Sequence, residues 1–254
     1  MSLRRTLDRQ RPRAVRTLDG AIARLAALRR WVAAGPPGGD SDGGYGGLWR
    51  PRDDEEARRL ILNTADPVAF ERAGRADAER IGALFGRDDV VLDLGCGIGR
   101  VARYVAPGCR TLWAVDASDA MLASARERLG GLANVRFARC EGTAMPALPR
   151  NSVDVAYSLL TLQHVEREDA FALLRDLRRV LRPGGVAYLT FPNLLSDTYL
   201  AAFVEHVDRG DVANPTRARL YTPQEVERLL PAAGFPIESL DIGVELVVVC
   251  RSSA

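Results

Sequence analysis

Lysine is missing altogether: all 35 basic residues of the chain are arginine. That excludes Schiff-base chemistry and any lysine nucleophile or general base. Histidine is nearly missing too. His164 and His206 are the only two, so a histidine-rich metal site is excluded. The four cysteines, Cys96, Cys109, Cys140 and Cys250, have neither metal-ligand nor redox spacing and read as reduced thiols in a cytoplasmic protein. No uncharged run approaches the ~20 residues that span a bilayer, so no membrane is expected. The net charge of +2 provides no overall field that calls for nucleic acid or an acidic membrane. No internal repeat is visible.

What is present is a chain of 254 residues, 47% hydrophobic, long enough to bury a core as one domain with additions. Residues 1–34 form a basic extension. Nine arginines fall within residues 1–30, against Asp8 and Asp19, while Leu18, Ile22, Leu25, Leu28 and Val32 recur at helical spacing. The pattern predicts an amphipathic helix with a solvated basic face. It would dock on the domain or on a second subunit, which leaves a homodimer open. Gripping phosphate with these arginines is the weaker alternative. Residues 35–47, with seven Gly and two Pro, have the composition of a flexible linker. Residues 48–87 predict a helical cap. Asp53 to Glu56 suit a first turn, where the helix dipole favours anions.

From residue 88 the pattern alternates. Strands are expected at 90–94, 111–115, 134–139, 152–160 and 186–191. Helices are expected at 100–106, 118–131 and 167–185, the last with Phe171, Leu174, Leu177 and Leu181 on one face and Pro183-Gly184-Gly185 as its stop. The rhythm breaks over 193–220, a polar and aromatic insertion with the character of a lid. Thr222, Pro223 and Glu225 then supply N-cap, N1 and N3 of a helix, with Tyr221 and Val226 as its staple. Two strands around Gly243 close the chain. The expected fold is α/β and doubly wound: a mostly parallel seven-stranded sheet with an antiparallel C-terminal hairpin, N-terminal helices and a lid insertion.

The chemistry concentrates in "VVLDLGCGIGR", residues 90–100. Gly95, Gly97 and Gly99 follow a buried strand, at the end where open parallel sheets bind ligands. Glycine lets the chain turn sharply and lets a ligand touch the backbone. The dinucleotide pattern G-x-G-x-x-G counted from Gly95 would need Gly at 100, where Arg100 stands. Asp93, two residues before the first Gly, would repel a pyrophosphate but accept from an ammonium group. These points count against a nicotinamide-dependent oxidoreductase and favour a ligand end with an amine and a carboxylate. Asp116, 23 residues further on at the tip of the second strand, is placed to accept both hydroxyls of a ribose.

With "AVDASDAML", "CEGTAMPALPRNSVDVAYS", "LLTLQHV" and "RVLRPGG" in this order, the chain from about residue 88 onward resembles the class I S-adenosylmethionine-dependent methyltransferases. The resemblance implies S-adenosylmethionine as cofactor. It implies that Asp93 and the loop Gly95, Cys96, Gly97 and Gly99 hold the amino acid moiety. Asp116 and Ala117 would flank the ribose, and Met121 would lie near the adenine. Glu141 stands where the family usually has Asp to receive the adenine amino group. Gly142 would offer its backbone, and Ser158 and Leu159 would line the floor near the sulfonium. Tyr45, Trp49 and Phe70 would close the pocket from the N-terminal side, with core packing the plainer reading of Phe70.

Methyl transfer from a sulfonium is an in-line displacement, so alignment is the main demand, and a base helps when the acceptor is a hydroxyl. His164 is the candidate base; its alternative role is to brace the loop. His206, Arg219 and Tyr221 are the candidate acceptor contacts from the lid. "YSLL" stands where nucleobase N-methyltransferases have an N-P-P-Y type signature. The expected acceptor is therefore a small molecule, a sugar or secondary metabolite methylated on oxygen. N- or C-methylation, or an RNA acceptor gripped by the Arg-rich start, are the alternatives.

Overall fold

Val90–Leu94 (β1) is buried along its whole length. A strand covered by helices on both faces must be apolar throughout, and only Asp93 departs from that. In this computed structural model, which describes residues 44–210 and 216–253, β1 lies near the middle of a seven-stranded sheet. The other strands are β2 (Thr111–Asp116), β3 (Val135–Arg139), β4 (Val153–Ser158), β5 (Leu181–Pro192), β6 (Ile237–Ile242) and β7 (Glu245–Arg251). Their order is β3-β2-β1-β4-β5-β7-β6. The first five run parallel, and β7 is antiparallel to both β5 and β6. Because β1 pairs with β2 on one side and β4 on the other, the connections after β1 and β4 diverge and open a crevice between them. The basic segment 1–34 and most of the Gly-rich stretch lie outside the described residues, as do residues 211–215 of the 193–220 insertion.

The described residues form seven α-helices, five of which start at a side-chain cap. They are α1 (Asp54–Leu62), α2 (Pro67–Gly82), α3 (Ala102–Val105), α4 (Asp119–Leu129), α5 (Arg167–Val180), α6 (Asp197–Asp208) and α7 (Pro223–Ala232). Asp53, Asp66 and Ser118 each accept an orphan amide of the helix they precede. Thr222 and Glu225 complete a capping box at α7, a motif of about 1 kcal/mol. Tyr221 and Val226, expected as a staple, are both buried in the same apolar cluster. That cluster fills one face of the sheet, beneath α5 and α7; a second, beneath α2, α3 and α4, fills the other. A third, smaller cluster joins Ala57, Phe70, Ile98 and Met121, so Phe70 is a core residue.

Two sequence boundaries move. Helix α5 stops at Val180, not at the glycines. Leu181 turns extended (φ −69°, ψ 140°) and opens β5 by pairing with Val153. Pro183 disfavours helical backbone at the residue before it, and the shifted register between Val153 and Val155 absorbs the extra residues. Strand β4 ends at Ser158, short of Leu160, which adopts a left-handed φ of 57°. A branched side chain is rarely found there, and the turn drives the chain across the mouth of the crevice. The end of the Gly-rich stretch also differs from a linker: Tyr45–Leu48 form a turn of 3-10 helix with Gly46 buried.

Candidate active site

The loop after β1 is built by its glycines. Gly95 has φ +81°, and a Cβ there would stand 2.0 Å from Oγ1 of Thr161. The amides of Gly95 and Cys96 both donate to the carbonyl of Val115, at 2.8 and 2.9 Å, which locks the loop to β2. Gly97 (φ +52°) donates its amide to Oδ2 of Asp116 at 2.8 Å. Oδ1 of Asp116 accepts from the amide of Ser118 at 2.9 Å. Asp116 thus joins the glycine loop to the start of α4. Burial raises its pKa, opposed by these amide hydrogen bonds. Gly99 (φ +81°) turns the chain toward α3 against Leu129 and does not reach the cleft.

Asp93 is only 4% exposed. Burial pushes its carboxyl up to about 7; the Tyr157 phenol and the Arg100 guanidinium oppose the rise, and Asp116 adds to it. Arg100 is committed to Asp77, at 2.6 Å, so it does not neutralise Asp93 outright. A carboxylate in this state gains from a cation brought to it. The ammonium group of S-adenosylmethionine is such a cation, and the residues present fit that cofactor. An incoming anion would find Asp93 and Asp116 on its side of the cleft.

The opposite wall comes from the chain after β4. His164 places Nδ1 2.8 Å from the carbonyl oxygen of Thr216. A carbonyl only accepts, so Nδ1 carries the hydrogen. The neutral ring then presents Nε2 as an acceptor, 3.0 Å from the side-chain amide of Gln163. Burial lowers the His164 pKa to about 4, and Arg219 adds to the effect against the Thr216 hydrogen bond. The ring is therefore neutral at pH 7. It also anchors the chain at Thr216, where the 193–220 insertion returns to the domain. Arg219 donates its amide to the carbonyl of Gln163 at 2.7 Å and its guanidinium to Glu166 at 2.5 Å.

A third wall arrives from the N-terminal side. The Tyr45 hydroxyl donates to Asp169 at 2.7 Å and accepts from the amide of Glu166 at 3.0 Å. Trp49 meets the His164 ring edge-on, with centroids 4.6 Å apart, and its carbonyl accepts from the Ser118 hydroxyl at 2.5 Å. Gly46 lies so close to the carbonyl of Ala117 that a Cβ would stand 2.2 Å from the oxygen. Residues 45–49 therefore strap the tip of β2 to the start of α5.

These walls enclose one cleft with ≈ 1040 Å³ of empty space, its open mouth included. It brings together Asp93, Gly95, Cys96, Gly97, Asp116, Ala117, Met121, Gly142, Leu159 and His164 of the expected site, with Tyr45 and Trp49. Other expected residues lie elsewhere. Ser158 is fully buried and ties β4 to β1 by donating to the carbonyl of Leu94 at 3.0 Å. Glu141 pairs by its backbone with Ala144 and leaves its side chain exposed. Tyr221 is buried against Phe191, and Arg219 is bound to Glu166. His206 sits on α6, outside the cleft lining. Leu60, Ile61, Arg100, Cys140, Leu160 and Thr161 line the cleft without having been singled out for it. Arg100 was recognisable only as a break in a dinucleotide pattern. Leu60 and Ile61 carry no signal beyond helical apolar spacing. Among the described residues no cluster of His, Cys, Asp or Glu could hold a metal ion, and no helix is long and apolar enough to cross a membrane.

Residues 91–185 match the model of a methyltransferase domain family. A probable S-adenosylmethionine-dependent methyltransferase of Mycolicibacterium smegmatis is 31% identical over 60% of this chain and 53% of its own length. A trans-aconitate 2-methyltransferase of Paracidovorax citrulli is 36% identical over 41% of this chain and 38% of its own length. The chain thus spans about half or less of the curated relatives it matches. Among solved structures, the Burkholderia thailandensis 1,6-didemethyltoxoflavin-N1-methyltransferase, with its acceptor and S-adenosylhomocysteine bound, shares the fold. Its TM-score is 0.57 at 22% identity, over 76% of this chain and 84% of that one. The buried carboxylate before a glycine turn and the second carboxylate at the next strand tip both lie within residues 91–185, the stretch that matches the methyltransferase domain family and is similar to S-adenosylmethionine-dependent methyltransferases.

Proposed function

We propose that this chain transfers a methyl group from S-adenosylmethionine to an oxygen atom of a small molecule, a sugar or secondary metabolite being the favoured acceptor. The observation that carries the reading is a single cleft shared by Asp93, the Gly95–Gly97 turn and Asp116 on one side and His164 on the other. The cofactor supplies an electrophilic methyl group on a sulfonium. Asp93 accepts from its ammonium, Asp116 from its ribose hydroxyls, and Met121 and Gly142 border the adenine. Tyr45 and Trp49 close the cleft over it from the N-terminal side. Asp116 already spends acceptor capacity on two amides, and each oxygen keeps a second lone pair for a ribose hydroxyl.

A small acceptor suits the enclosed cleft, and trans-aconitate and didemethyltoxoflavin, named for two relatives, are small molecules. His164 acts here as a neutral acceptor and brace more than as a strong base, since a pKa of about 4 is far from the working optimum. Alignment of acceptor and methyl group in the cleft remains the main source of rate. Calorimetric titration with S-adenosylmethionine and with NADH tests the cofactor: binding of the first alone is expected. Incubation with isotopically labelled cofactor and a panel of hydroxylated acceptors tests the reaction, read as a labelled methyl ether or ester by mass spectrometry. Label on nitrogen or carbon only would overturn the choice of oxygen.

A further inference from the structure

Asp93 has a neighbour that neither the sequence motifs nor the cleft lining single out. Tyr157 on β4 is its Cα partner across the parallel β1–β4 pair, so the two side chains leave the same face of the sheet, one strand spacing of about 4.8 Å apart. The Tyr157 ring is fully buried, in the cluster that includes Val91, Val155 and Tyr188. Its hydroxyl is buried as well and makes no hydrogen bond. A phenylalanine would fill the same space without stranding a polar atom, so this oxygen costs stability in the free protein. The group it acts on is Asp93. Burial raises the Asp93 carboxyl and the phenol opposes that rise; burial and the Asp93 charge both push the phenol up. Tyr221 also buries an unpartnered hydroxyl, but in the cluster on the opposite face of the sheet and outside the cleft lining.

We propose that Tyr157 is a positioning residue for cofactor capture: when the cofactor's ammonium group engages one carboxylate oxygen of Asp93, the Tyr157 hydroxyl donates to the other. The inference rests on the reading of Asp93 as the acceptor for that ammonium. In the free protein the groups that face Asp93 pull in opposite directions. Arg100 favours the anion but is bound to Asp77 of α2 at 2.6 Å, while Asp116 at the tip of β2 disfavours it. Cys96 and Tyr157 keep their protons, because burial pushes both well up, and so add no charge. An arriving cation fixes Asp93 as the anion, and an anionic oxygen is the stronger acceptor for a phenol. The hydroxyl then gains the partner it lacks, and the carboxylate is held at both oxygens. A cost present in the free protein is relieved on binding, which favours the bound state. Tyr157 lies outside the cleft lining and acts through Asp93.

Calorimetry with S-adenosylmethionine on the full chain, Asp93→Asn, Tyr157→Phe and the double variant tests the proposal, beside thermal melts of each free protein. Tyr157→Phe keeps the ring, so its melting temperature should equal or exceed the parent's, while cofactor affinity at neutral pH falls by about tenfold. A packing role would lower the melting temperature instead. Affinity should also begin to fall at a higher pH than in the parent, because Asp93 loses the phenol that holds its carboxyl down. In the Asp93→Asn background the loss from Tyr157→Phe should shrink to about threefold or less, since a neutral amide is the weaker acceptor. A parent chain that binds no S-adenosylmethionine would overturn the cofactor reading, and full affinity in Asp93→Asn would overturn the role of Asp93; the inference falls with either. Full affinity in Tyr157→Phe, where Asp93→Asn is weakened, would overturn this inference alone. So would a loss undiminished in the Asp93→Asn background, an unmoved pH dependence, or a loss that comes with a lower melting temperature.

Discussion

The amide of Gly97 donates to Oδ2 of Asp116 at 2.8 Å, so the tip of β2 holds in shape the turn that leaves β1. The carboxylate expected to receive the ribose is therefore also a strut of the glycine loop. Asp116→Ala removes both roles, and S-adenosylmethionine affinity should fall by about 1.5–3 kcal/mol or more, the size of hydrogen bonds to a charged group. Asp116→Asn keeps an acceptor and should lose less. Calorimetry on both variants reads the difference; equal affinity of Asp116→Ala and the parent chain would remove Asp116 from the site.

Asp93 makes cofactor binding sensitive to pH. Its carboxyl is raised to about 7 in the free protein, mainly by burial, and an ammonium partner would favour the anion. Binding below pH 7 should then release a proton, and affinity should drop by about tenfold per pH unit as pH falls from 7 toward 5. The same shift has a stability consequence of defined sign. The folded pKa exceeds the unfolded one, so this group's contribution is greatest below about pH 4 and is lost as pH rises through 7. Asp93→Asn should flatten both dependences. Calorimetry in buffers of different ionisation enthalpy measures the proton directly.

His164 should not show itself in the pH profile near neutrality, because its ring stays neutral down to about pH 4. His164→Ala removes the hydrogen bond to Thr216 that ties the 193–220 insertion to the cleft. Turnover should fall, cofactor affinity should barely change, and amide exchange over residues 216–221 should quicken. A turnover profile that loses a limb near pH 6–7 in this variant would restore the role of general base.

The strap should govern how fast the cofactor leaves. Tyr45→Phe deletes the hydrogen bonds to Asp169 and Glu166, about 1–2 kcal/mol together, and the cofactor's dissociation rate should rise by roughly 5–30-fold. Gly46→Ala should do the same for a different reason, since its Cβ would collide with the carbonyl of Ala117 at 2.2 Å. Stopped-flow displacement of bound cofactor measures both; rates equal to the parent's would mean the strap does not cover it.

Much of the framework was legible because its signals are local. The strand at 90–94, the cap at Ser118 and the capping box at Thr222 depend on neighbours within a few residues. So does the glycine turn, where left-handed backbone at 95, 97 and 99 calls for residues without a Cβ. Where the reading slipped, a distant partner intervened. Leu181 fits the apolar face of α5 by spacing, but Val153 draws it into β5. Tyr221 looked like an aromatic on a lid; Phe191 and Arg167 take its ring into the core. Tyr45 sits in a stretch with the composition of a linker, and Glu166 and Asp169, 121 and 124 residues away, make it a structural residue.

By itself the sequence determined the alternation of strands and helices, the glycine turn and the two acidic strand tips, since periodicity and backbone sterics act within one segment. The tertiary structure alone decided which of these groups share a cleft. It set Asp93 under enough protein to raise its pKa to about 7 and turned the His164 ring onto Thr216. It also left the apolar side of α6 facing outward. Desolvation, hydrogen-bond direction and exposure are properties of what surrounds a residue, and those surroundings come from parts of the chain far away in the sequence.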